Sequence, residues 1–174
     1  MSWTELLKRE IDHEYKAAGG LFDLVIDADL DWKPSTGENW MTTRQLLRHI
    51  AEGTGAAFRG IVTGDWGMPD GVDMSELPPE EMLPPAEKMP GAESVAEAKD
   101  VLAADRNLAV EMLGNVSEDD LAHKPAPVPW DPSNMILGHR LLQMVSHLTH
   151  HKCQLFYYLK LQGKPVHTGH LWGM

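Results

Sequence analysis

Apolar residues recur at steps of three and four in four separate stretches of this chain, and proline-rich connections divide those stretches. This patterning restricts the fold more than any other feature. In the first stretch Leu7, Ile11, Tyr15, Ala18, Phe22 and Val25 fall on one face of a helix running from Trp3 to about Ile26. The second opens at Thr42-Thr43-Arg44-Gln45, where a hydroxyl is answered by Gln three residues on, and predicts a helix from Thr43 to about Val62. Ser94-Val95-Ala96-Glu97 has the same form and starts a third helix over about 95–115. A fourth begins near Ser133 and stops at Gln162-Gly163, where glycine supplies a left-handed cap.

Between helices two and three lie Pro69, Pro78, Pro79, Pro84, Pro85 and Pro90, so a long loop without regular structure is expected over about 65–93. Its few apolar residues, Met68, Met74, Leu77, Met82 and Leu83, are spaced irregularly. Amphipathic helices must bury their stripes against one another, and the long connection can return along a whole bundle. The reading is an all-α, up-down-down-up four-helix bundle with a crossover between helices two and three, in one domain spanning 1–174.

The 174 residues carry a net charge of −11, opposing nucleic-acid phosphates, and show no basic stripe for an anionic membrane. No nucleic-acid partner is expected. The apolar run from Leu21 to Leu30 is interrupted by Asp23, Asp27 and Asp29, so no membrane span is expected either. A single cysteine, Cys153, and a start without an export pattern point to a cytoplasmic protein.

Chemistry concentrates in helix four, which holds His139, His147, His150 and His151. Residues four apart stack one turn above another, so His147 and His151 can aim at one point, as a metal ion requires. His150, three from His147, is a possible replacement for His151. Taken alone, such a pair is more often solvated or hydrogen-bonded than metal-bound. His49 lies beside the apolar face of helix two, and Gly53 one turn later presents no side chain. Glu52, Gln143 and Gln154 lie within a turn of these histidines and are candidates to orient an imidazole; Tyr158 lines the site or simply packs. Glu10-Ile11-Asp12-His13 matches half of a di-iron motif but has no second copy. His167 and His170 read as loop residues, and Cys153 as a small buried hydrophobe on the other side of the helix.

Several segments together resemble a known family: Trp32-Lys33-Pro34, Asn39-Trp40-Met41-Thr42, Leu46-Leu47-Arg48-His49-Ile50, His147 through Leu155, and Gly163-Lys164-Pro165-Val166. In this order they are similar to the DinB-like (DinB/YfiT) superfamily over nearly the whole chain. That family commonly has Arg-Gly-Gln after the last histidine, where this chain has Lys152-Cys153-Gln154.

The resemblance implies a divalent metal ion, zinc or nickel, held by His49, His147 and His151, and a homodimer. It further implies a small-molecule substrate, in some relatives a low-molecular-weight thiol. Relatives include bacillithiol S-transferases and the mycothiol-dependent maleylpyruvate isomerase, so a metal-dependent thiol S-transferase or hydrolase is expected. The alternative is a noncatalytic metal-binding stress-response protein. Because imidazole ligates only when neutral, metal occupancy is expected to fall as pH drops through about 6.5.

Overall fold

The computed structural model describes residues 1–69, 71–72, 74–82 and 84–174. Leu83, one of the apolar residues noted in the long connection, therefore lies outside the described residues. Helix α1, Trp3–Phe22, starts on a capping box in which the Glu5 amide donates to Ser2 Oγ and the Ser2 amide donates to Glu5. The carboxylate of Glu118 accepts the next free amides, those of Trp3 and Thr4, at 2.9 and 2.7 Å. Leu7, Ile11, Tyr15, Ala18 and Phe22 form the buried face, as the periodicity predicts. The helix ends at Phe22 rather than near Ile26. Beyond it the chain turns to bury Val25 and Leu30, and Asp27 leaves to accept the Val95 amide at the start of a later helix.

Helix α2, Thr43–Glu52, begins where its Thr42–Gln45 capping box predicts. It does not run on to Val62. Gly53 interrupts it, and α3, Thr54–Thr63, starts afresh. The cause is Asp105, 50 residues away, whose carboxylate accepts the Gly55 and Ala56 amides at 2.8 and 3.1 Å. Those amides would otherwise bond to carbonyls of α2, so the carboxylate caps α3 as a local Asp would. Tyr15 also donates its hydroxyl to Asp105, at 2.6 Å. At Gly55 a Cβ would lie 2.2 Å from the Asp105 carbonyl oxygen, so this close approach of backbones admits only glycine.

The long connection contains more order than its prolines predict. One-turn 3₁₀ segments span Met74–Glu76 and Ala86–Lys88, and a single helical turn, α4, spans Pro79–Met82. Proline is compatible with the first turn of a helix because the amide it lacks would have no partner there.

Helix α5, Val95–Gly114, matches the third predicted helix. Ser94 accepts the Glu97 amide, but the Glu97 side chain binds Arg48 at 2.6 Å instead of closing the capping box. The short α6, Glu118–His123, is an element that the periodicity did not reveal, though Ser117 and Asp120 form a complete capping box at its start. Helix α7, Leu137–Leu161, starts four residues later than expected. The preceding residues are held by bridges between Pro125 and Ile136 and between Val128 and Asp131. Arg140, only 1% exposed, ties this segment down through Asp131 at 2.9 Å and the Ala126 carbonyl at 3.1 Å. At the other end Gly163 adopts φ +74°, the cap that the sequence predicts.

The long helices form an all-α bundle. α1 packs on α5 and α7, and the α2–α3 pair packs on the same two helices from the other side. Leu46, Leu47, Ile50, Leu102, Leu141, Val145, Leu148 and Leu155 meet in the core with the α1 stripe. Among the described residues no helix is long and apolar enough to cross a membrane. The C-terminal 3₁₀ segment Thr168–Trp172 lies against α1, where Lys152, 2% exposed, donates to the Leu171 carbonyl at 2.8 Å and pairs with Glu14 at 2.8 Å.

Candidate metal centre

The packing of α2 against α7 brings three imidazoles together. His49 projects from the last turn of α2, and His147 and His151 project from successive turns of α7. His49 Nε2 lies 3.2 Å from His147 Nε2 and 3.1 Å from His151 Nε2. Among the described residues, these three side chains form a group whose ligand atoms all fall within 4.8 Å of one another.

Hydrogen bonding between the rings accounts poorly for this convergence. A neutral imidazole carries one N–H, so His49 Nε2 can donate to at most one of the two nitrogens that face it. Two nitrogens each about 2.05 Å from one tetrahedral ion are separated by about 3.3 Å, close to the spacing seen. The donor set therefore fits one divalent ion.

The outer nitrogen of His151 shows how the ring is held. Its Nδ1 lies 3.1 Å from Gln154 Oε1, which can only accept, so the proton sits on Nδ1 and the lone pair on Nε2 faces the cluster. Gln154 Nε2 in turn contacts Tyr158 Oη at 3.4 Å, and that hydroxyl donates to the Met41 carbonyl at 2.9 Å. A chain of three polar groups thus anchors one imidazole to the backbone ahead of α2.

Burial keeps the cluster neutral. It holds His49 down to about 3, with the adjacent His151 and His147 adding to the effect. His147 is held to about 4, by burial first and then by His151 and His150. His151 is also lowered, because burial outweighs its hydrogen bond to Gln154. Neutral imidazole is the ligating form, so the site is prepared for a cation at ordinary pH.

Gly53 lies against this group. A Cβ there would stand 3.4 Å from His147 Cε1 and 2.9 Å from the His49 carbonyl, so a larger residue would press on both ligand positions. Of the three candidates for orienting an imidazole, Gln154 fills that place. Glu52 instead pairs with Arg48 at 2.5 Å, and Gln143 accepts from Arg140 at 2.9 Å.

His150 stands apart from the cluster, exposed on α7 beside half-buried Cys153. His13 packs near Trp172, with ring centroids 6.0 Å apart. His167 and His170, expected in a loop, cap and enter the C-terminal 3₁₀ turn, where their rings lie 4.0 Å apart. The sequence signal for Gln154 was its i+3 spacing from His151, which Gln143 and Glu52 imitated at similar distances.

A search among curated proteins gives no match. The sequence model of the DinB superfamily matches residues 10–155, a span that runs from α1 through His49 to His147 and His151 of α7. The match covers well over half of the chain, and the protein therefore belongs to the DinB superfamily.

Proposed function

We propose that this DinB-superfamily protein holds one divalent metal ion, zinc or nickel, through His49, His147 and His151, and uses it as a Lewis acid on a small molecule. The observation that carries this reading is the approach of three Nε2 atoms, one facing two others at 3.1 and 3.2 Å. Three protein ligands leave coordination positions open, and an ion so held lowers the pKa of a water or a small thiol.

The chain's own contribution is preparation of that site. Burial excludes the imidazolium forms of His49 and His147. Gln154 fixes the proton of His151 on the outer nitrogen and leaves the inner one free to donate its lone pair. Gly53 leaves the space beside His147 clear. These features support a site prepared for a divalent ion; thiol S-transfer or hydrolysis on a small molecule, by a cytoplasmic homodimer, is what the family resemblance adds to that reading.

Elemental analysis of the purified protein, followed by a turnover screen with bacillithiol, mycothiol and glutathione against an electrophile, tests the reading. Near-stoichiometric metal is expected, with turnover lost on chelation while circular dichroism shows the helices intact. Metal without turnover would favour a noncatalytic role in bracing α2 against α7. Protein that takes up no zinc or nickel would overturn the proposal.

A further inference from the structure

A cavity of about 450 Å³ opens on the outer side of α7, between that helix and the segment that precedes α2. Its volume lies within the range of about 300–1,000 Å³ typical of small-molecule sites. Trp40, Tyr157, Tyr158 and Leu161 supply most of its apolar wall, and Pro34 closes the far side. Tyr157 and Leu161 are 63% and 66% exposed, one turn apart at the mouth.

The wall is rigid. Trp40 meets Tyr158 edge to face at 6.2 Å, and its indole N–H is bonded to the Thr36 carbonyl. Tyr158 is held in turn by the Met41 carbonyl. Among the described residues no Asp, Glu, Lys or Arg lines the cavity, although the chain carries 26 acidic and 15 basic residues. An ionic ligand would lose hydration against a mostly apolar wall and meet no fixed charge, only the exposed imidazole of His150 at the edge, so the lining favours a neutral ligand.

A polar handle is present as well. Gln154 lines the cavity, and its amide nitrogen has two hydrogens, of which Tyr158 takes one. The other can meet a hydroxyl or carbonyl oxygen. We propose that this cavity binds a neutral, flat aromatic molecule bearing one such oxygen, stacked between Trp40 and Tyr157 and oriented by Gln154. The site is separate from the three-histidine cluster and does not rest on metal binding there, yet Gln154 touches both, through His151 Nδ1 and through the cavity wall.

A second copy of the chain is a poorer occupant. Two exposed apolar side chains, Tyr157 and Leu161, present at most about 500 Å² even if each counted as a whole aromatic residue at about 150–250 Å². A stable interface buries about 800 Å² on each partner.

The test uses 2-naphthol as the neutral probe and 2-naphthalenesulfonate as its anionic counterpart, each measured by equilibrium dialysis against the full chain. Cys153, the sole cysteine and part of the lining, adds a site-specific readout through its alkylation by N-phenylmaleimide, followed by mass spectrometry. Saturable binding of 2-naphthol is expected, with protection of Cys153 by 2-naphthol and not by the sulfonate.

Tyr157→Ser and Leu161→Ser are both at exposed positions and should leave the fold intact. Each should weaken 2-naphthol binding by about 2- to 12-fold, the usual worth of one aromatic or aliphatic contact. Absence of saturable binding, equal binding of the anion, or binding unchanged in both variants would overturn the proposal. So would sedimentation showing that either variant splits a dimer while 2-naphthol fails to bind, since the cleft would then be an interface between copies.

Discussion

Replacing His151 by Ala should remove most of the metal affinity, and replacing His150 by Ala should remove little. The two residues are neighbours in sequence but point about 100° apart on α7. His151 Nε2 lies 3.1 Å from His49 Nε2 inside the cluster, whereas His150 is exposed and lines the outer cavity. A structural zinc site is worth about 10–16 kcal/mol for four ligands, or about 2.5–4 kcal/mol for each. At about 1.36 kcal/mol for each tenfold change, loss of His151 should weaken binding by roughly 70- to 900-fold. His150→Ala should stay within about 3-fold, since an exposed group one residue away alters only the local field.

The assay is competition for zinc against a chromophoric chelator, with inductively coupled plasma stoichiometry on the same samples. Circular dichroism of the metal-free variants guards against unfolding, and His151→Ala should retain its helices because Leu46, Leu47, Ile50, Leu148 and Leu155 stay buried in the core where α2 and α7 pack. Equal losses in the two variants, or a greater loss at His150, would show that the face of α7 turned toward α2 has been misassigned.

Other expectations follow from particular contacts. Asp105→Ala would leave Tyr15 Oη and the Gly55 and Ala56 amides without their buried acceptor, and should cost about 3 kcal/mol or more in urea unfolding. Lys152→Ala would strand the buried Glu14 carboxylate and should cost about 3–5 kcal/mol, whereas Lys152→Ala combined with Glu14→Gln should recover part of that loss. Metal-free protein should lose stability as pH falls from about 6.5 toward 4, because the unfolded histidines take up protons that folded His49 and His147, held to about 3 and 4, refuse; stability that rose on acidification through this window would contradict the burial of the cluster. The same shifts move proton competition with the metal below the 6.5 expected from the sequence, nearer to pH 4, which zinc occupancy measured across that range will check. Limited proteolysis should cut first between Asp65 and Glu93, where the described residues are mostly exposed; first cuts within α2 or α7 would contradict that division.

Local rules carried much of this protein. A helical period of 3.6 is written in every stretch of the chain that forms a long helix, and a capping box needs only residues three apart, so Thr43 and Val95 were legible as helix starts. The same spacing placed His147 and His151 on one line of α7, because i and i+4 meet whatever else the chain does. That His49 joins them is not local. Its Nε2 meets theirs across 98 and 102 residues, and only the packing of α2 on α7 sets that distance; in the sequence the third ligand rested on family resemblance.

The break at Gly53 belongs to the same class. Nothing within ten residues requires two helices there, since Gly alone is tolerated in a helix; the carboxylate of Asp105, brought in by α5, withdraws the amides that would have continued α2. Glu52, Gln143 and Gln154 looked alike by spacing and were separated by what else stood near them. Arg48 took the first and Arg140 the second, leaving Gln154 to hold His151. A side chain's neighbours along the chain are determined by covalent geometry, and its neighbours across the bundle by how buried polar groups find partners once the helices pack.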